Sequence, residues 1–96
     1  MKPSQALEAH RAEIRRVVNA NHATNARVFG SVLHGADIEG SDLDLLIDPQ
    51  PRLTLFRIAQ MQIELESMLG VKVDIRTPED LPDKFRETVL RECRPV

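Results

Sequence analysis

The sequence is nearly empty of aromatic residues, with three Phe and no Trp or Tyr among its 96 positions. Its core must therefore be aliphatic, and it has few rings on which the bases of a single strand could stack. An excess of charge of one sign is missing too. Thirteen Lys and Arg stand against fifteen Asp and Glu, a formal net charge of −2, so there is no broad basic field for a nucleic-acid backbone. Direct nucleic-acid binding is not expected, and a phosphate ligand has to be held locally by backbone amides and metal ions. The single cysteine, Cys93, can close no internal disulfide. It fits a reducing cytoplasm and is expected to be a small buried apolar residue. No run approaches the ~20 apolar residues that cross a bilayer, so the expected location is the cytoplasm.

What is present describes an ordinary globular domain: 42% hydrophobic and 29% charged residues. The length predicts one domain over residues 1–96. A chain of this size hides only roughly 60–65% of its extended surface, so a cleft walled on every side is not expected. Pro3-Ser4 opens a helix, with Leu7, Ile14, Val17 and Val18 recurring at helical spacing to about Ala20. His10 falls on that stripe and is assigned no function. Arg27 to Phe29 reads as a short strand ended by Gly30-Ser31, and Leu43 to Ile47 as the strongest strand. Leu53 to Leu69 reads as a helix stopped by Gly70.

Val71 to Arg76 alternates, with Val71, Val73 and Ile75 on one face and Lys72, Asp74 and Arg76 on the other. Leu81, Phe85, Val89 and Cys93 mark a last helix that Arg94-Pro95-Val96 does not easily continue. Strands separated by helices predict an α/β fold, a small mixed sheet of about three strands flanked by helices. The helix from Leu53 to Leu69 is apolar over more than one face. Leu55, Ile58, Leu65 and Leu69 form one stripe, widened by Met61 and Met68, while Phe56, Ala59 and Ile63 extend the other flank. Either the helix is pinched between the sheet and the first helix, or part of that surface binds another protein.

The chemistry concentrates between Gly30 and Asp74. Gly30 lets the backbone turn sharply and lets a ligand come close. Ser31 adds a hydroxyl and an amide where a short helix begins, a ready phosphate site. Asp42 and Asp44 flank one residue at the start of a strand, so period two sets both carboxylates on one face, with Leu43 and Leu45 on the other. Carboxylates held that close repel unless a cation sits between them, and hard oxygen donors beside phosphate argue for Mg2+. Asp74 completes the set if its strand neighbours that of Asp44. Taken alone, Gly40-Ser41-Asp42 could be no more than a turn capped by Asp42. Lys72 and Arg76 either add positive charge to the site or simply solvate the sheet face.

Gly30-Ser31, ten intervening residues and then Asp42-Leu43-Asp44 resembles the signature of the polymerase-β-like nucleotidyltransferase superfamily. The small size and the segments around Asp74 and Leu90 to Val96 resemble its minimal branch, the MNT antitoxins encoded beside HEPN-domain ribonuclease toxins. The resemblance covers nearly the whole chain and implies a polymerase-β palm-like core that transfers AMP from ATP to a hydroxyl. It implies that Asp42, Asp44 and Asp74 hold two Mg2+ ions, with Asp74 drawing the proton from the attacking oxygen. Gly30, Ser31 and Ser41 would bind the nucleotide. The implied partner is a HEPN toxin in a hetero-oligomer, and the implied acceptor is a tyrosine hydroxyl near its ribonuclease site. Relatives often carry Arg before the glycine of the loop. Here His34 precedes Gly35, which implies weaker or more pH-dependent nucleotide binding if that position neutralises phosphate charge. Two other functions compete: an antitoxin that masks its toxin by contact alone, and the catalytic subunit of an enzyme for a small-molecule acceptor.

Overall fold

The first apolar stripe does not make one helix. The computed structural model, which describes residues 1–96, breaks it at His10 into α1 (Pro3–Ala9) and α2 (Arg11–Ala20). Both halves still bury into one cluster, Ala6 and Leu7 from α1 with Ile14, Val17 and Val18 from α2. After α2 come β1 (Ala23–Phe29), the single turn α3 (Gly30–Leu33), β2 (Leu43–Pro49) and α4 (Leu55–Leu69). Then follow β3 (Val73–Arg76), a 3-10 turn (Pro78–Asp80), α5 (Asp83–Glu92) and β4 (Arg94–Pro95). No helix is long and apolar enough to cross a membrane.

The sheet has four strands in the order β3-β2-β1-β4, not about three. β1 runs antiparallel to β2 and β4, while β2 and β3 are parallel across the α4 connection. The extra strand is two residues long and contains Pro95. No periodicity of apolar residues could have announced it, because pairing alone makes it a strand. The Val96 amide donates to the Ala26 carbonyl at 3.0 Å, and Val96 is buried in the core, where the sequence reading had only a tail. Other edges move slightly. β1 starts earlier than expected, with a bulge between Thr24 and Arg27 where Asn25 takes φ +55°. β3 starts at Val73, and α4 starts after Thr54, whose hydroxyl oxygen accepts from the Arg57 amide.

The two faces of the sheet are unlike. Val28, Leu43, Leu45, Ile47, Val73 and Ile75 face α1, α2 and α4 and join Met61, Leu65 and Leu69 in the main core. The opposite face carries Phe29, Asp44, Leu46, Asp74 and Arg76. Only Leu46 is fully buried there; Leu46 and Leu81 are both buried outside the main cluster. α4 packs Met61, Leu65 and Leu69 inward with Ile58 and Met68 against them, so the expected stripe holds except at Leu55; Leu55 and the other flank's Phe56 and Ile63 are 81%, 72% and 68% exposed. The pinched arrangement therefore holds for one flank of α4 only. Cys93 closes the end of α5 half-buried, so the buried-apolar expectation fails.

The segment between α3 and β2 is tied back to the N-terminus. An Asp37 carboxylate oxygen accepts from the Ser4 amide at 2.8 Å, satisfying a donor in the first turn of α1. That amide holds the Asp37 carboxyl below the ordinary carboxylate value. Burial opposes the shift, and the Ser4 hydroxyl adds to it. A depressed value means a stabilising contribution present above the unfolded value of 3.8 and lost as pH falls through the lower folded value. Asp37→Ala is expected to lower the melting temperature at pH 7, and the gap from wild type should begin to narrow as pH falls below about 3.8 in thermal scans.

Candidate active site

The site begins where β1 stops. Phe29 leaves the strand in extended conformation, and Gly30 turns the chain at φ +72° into α3. That angle favours glycine, but the stronger reason for glycine is what lies above it. A Cβ at Gly30 would overlap the Asp44 carboxylate, with Asp44 Cγ only 3.0 Å away. The glycine therefore makes room for a carboxylate that the sheet register pushes across it. Ser31 follows, half-buried, with its carbonyl accepting from the Ala36 amide at 2.9 Å.

Register then assembles the row. Phe29 lies opposite Asp44 in the antiparallel pair, and Asp44 lies opposite Asp74 in the parallel pair. Directly opposed residues share a face, so the three side chains stand side by side on three adjacent strands. Asp42 precedes β2, two residues before Asp44, and is exposed where Asp44 is half-buried. Asp44 and Asp74 are thus adjacent, and Asp42 lies near enough for its charge to act on Asp44, with Gly30-Ser31 on the β1 side. Ser41 does something different from what was expected. Its Oγ accepts from the Ile38 amide at 3.0 Å and its own amide donates to the Ile38 carbonyl at 3.0 Å. The hydroxyl closes the turn that delivers Asp42 to the strand.

Electrostatics mark Asp44 as the strained member. Burial, then the charges of Asp74 and Asp42, push its pKa up to about 6, against a lowering pull from Arg76. A carboxylate destabilised in this way gains from a cation. Asp74 is relieved by its own neighbour: Arg76 Nε donates to both carboxylate oxygens at 3.2 Å. With Asp74 turned onto Arg76, no three metal-ligating side chains converge as they stand. Asp42 and Asp44 are the pair free to hold a hard divalent ion. All-oxygen donors and an ionisation strained by its neighbours fit that chemistry.

The two readings open for Lys72 and Arg76 divide between them, and the roles of α5 and Arg86 are new. Arg76 belongs to the site, while Lys72 is exposed before β3 begins, beside Gly40 and Ser41. Leu81, Phe85 and Val89, spaced as a core stripe, instead turn toward Asp74 and Phe29 around a pocket of about 250 Å3. The i, i+4 spacing was visible, but not the face it would cover. Arg86 holds this wall in place by donating to the carbonyls of Pro78 (2.8 Å) and Leu81 (2.8 Å) and to the Asp83 carboxylate (2.7 Å). His34 caps α3 with Nε2 at 3.5 Å from Glu92 of α5.

A carboxylate row on one face of a half-open sheet, beside a glycine-serine turn, defines a protein built for phosphoryl chemistry on the nucleotidyltransferase fold. The profile of the nucleotidyltransferase domain matches residues 11–96, and the chain belongs to that family. It is 34% identical over 86 residues to the protein adenylyltransferase MntA of Thermococcus cleftensis, covering 90% of this chain and 84% of that one. A solved minimal nucleotidyltransferase superposes with a TM-score of 0.85 at 40% identity, over 97% of this chain and 95% of that one. A toxin-antitoxin solved with AMP-PNP shares the fold, with a TM-score of 0.75 at 19% identity over 88% and 69% of the two chains.

Two outcomes are expected. Gly30→Ala should displace Asp44 and weaken Mn2+ binding about tenfold or more, measured by titration, while the circular dichroism stays native. For Asp44 the folded pKa of about 6 lies above the unfolded 3.8, so the native state holds the extra proton between them. Its contribution therefore improves as pH falls through that window, and at pH 7 the ionised group costs stability. Asp44→Asn should stabilise the metal-free protein at pH 7 by about 1 kcal/mol, after discounting for solvent screening at a half-exposed group, which thermal scans read as a higher melting temperature. The gain should vanish near pH 4.

Proposed function

We propose that this protein is an antitoxin that transfers AMP from ATP to a tyrosine hydroxyl of a partner HEPN ribonuclease toxin, in a cytoplasmic hetero-oligomer. The observation that carries the reading is the carboxylate row, with Asp44 opposite Asp74 and fitted against Gly30. A protein that acted by contact alone would have no use for a carboxylate kept at a raised pKa. The similarity to a protein adenylyltransferase supports AMP as the transferred group, and the shared fold of a toxin-antitoxin supports the partner class.

Asp42 and Asp44, joined by Asp74, would hold Mg2+, two ions in the full site. The metal supplies charge neutralisation on the triphosphate and polarisation of the α-phosphoryl group. Ser31 and the backbone around Gly30 grip the β- and γ-phosphates and orient pyrophosphate as the leaving group. Ser41 acts one step back, by shaping the turn that sets Asp42. Asp74 accepts the proton of the acceptor hydroxyl, and Arg76 aims its carboxylate. The hydroxyl oxygen bonds to the α-phosphorus, the bond from that phosphorus to the bridging oxygen breaks, and pyrophosphate departs. The AMP left on the toxin adds bulk and negative charge where RNA phosphate must bind, which silences it.

The test uses the toxin encoded in the neighbouring reading frame, ATP and Mg2+, with intact-mass analysis of the toxin. The expected result is a gain of one or more AMP masses, abolished in Asp42→Asn/Asp44→Asn. Neutralisation by the double variant equal to wild type, with no mass gain, would overturn the enzyme reading in favour of masking. Masking already has a surface available in the exposed Phe56 and Ile63 of α4.

A further inference from the structure

One pocket lies on the carboxylate face of the sheet. Phe29, Leu81, Pro82, Phe85 and Val89 line it, and its charged members are Asp74 and Arg76. Its volume is about 250 Å3. Its far wall is α5, a helix with no fully buried residue, on which Phe85 is 53% exposed. An apolar side chain that helix packing leaves uncovered, beside a carboxylate assigned to the chemistry, calls for a ligand.

We infer that this pocket is where the acceptor's aromatic ring docks, with Phe85 and Val89 holding the ring so that its hydroxyl points at Asp74. The inference rests on the adenylyl-transfer reading above. In an in-line displacement the attacking and leaving oxygens stand on opposite sides of the α-phosphorus. Gly30-Ser31 lies at the end of β1 and Asp74 on β3, with the Asp44 strand between them. Pyrophosphate leaving on the Gly30-Ser31 side puts the acceptor on the Asp74 side, where the pocket opens. The lining matches a ring with one polar tip. A phenol buries its apolar body against Phe29, Phe85 and Val89 and brings its oxygen to the one carboxylate present. A serine or threonine side chain would leave that lining wet. Adenine carries polar nitrogens around its edge, and the only polar side chains of the lining, Asp74 and Arg76, already bond to each other.

Phe85 and Val89 therefore set acceptor specificity without touching the nucleotide. Phe85→Ala empties part of the pocket, and because the ring is already more than half exposed its loss leaves the fold intact. Val89→Trp fills the pocket from the other side. In the full chain with its toxin, ATP and Mg2+, each change should cut the rate of AMP transfer about tenfold or more. The dissociation constant of AMP-PNP should stay within about twofold of wild type. p-Cresol should shift the NMR signals of Leu81 and Val89 methyl groups in wild type, and about tenfold more of it should be needed in Phe85→Ala. Unchanged transfer in both variants, or AMP-PNP shifting the same methyl groups and displacing p-cresol, would overturn the acceptor pocket while leaving AMP transfer standing. An acceptor mapped to serine or threonine would do the same. A wild type that adds no AMP to the toxin would instead overturn the adenylyl-transfer reading, and the acceptor assignment with it.

Discussion

Everything at the site depends on bringing negative charges together that would rather separate. Asp44 is half out of water, faces Asp74 across a strand pair and has Asp42 two residues away. Such a group can be held there only by a scaffold whose stability comes from elsewhere. The other face of the same strands supplies it. Leu43, Leu45, Ile47, Val73 and Ile75 bury against three helices, and period two then leaves the carboxylates no choice of direction. A slip of one residue would put the whole apolar set in solvent, so the register of the site is enforced by the core behind it.

The glycine at the end of β1 belongs to the same constraint. Asp44 occupies the volume that any side chain at position 30 would fill, so the turn and the carboxylate are two halves of one close approach. Arg76 partners Asp74 and leaves Asp44 strained, which divides the row into one carboxylate with a guanidinium partner and two without. The acidic row is bounded on one side by the glycine-serine turn and on the other by the apolar wall of α5.

Much of this could be read along the chain, for identifiable reasons. Gly30, Asp42, Asp44 and Asp74 were legible because a close turn demands glycine and strand period two is strict. The strands β2 and β3 were legible because an apolar run and a clean alternation leave few alternatives. Less visible were features that depend on who packs against whom. The break at His10, the two-residue β4 and the exposed outer flank of α4 have no local signal. The turn role of Ser41 was legible beside the nucleotide one: its Oγ accepts from the Ile38 amide and closes the turn before β2.

The sequence by itself determined the chemistry: which oxygen donors exist, that two of them share a strand face, and that a glycine precedes them. Those facts follow from residue identity and backbone period, which act over a few residues. Tertiary structure alone decided that Asp74 stands opposite Asp44, that Arg76 holds it, and that Phe85 and Val89, above the buried Leu81, line a pocket beside it. These depend on parallel pairing across α4 and on the path of α5 over the sheet. Both are settled by which surfaces, distant in sequence, best exclude water from one another.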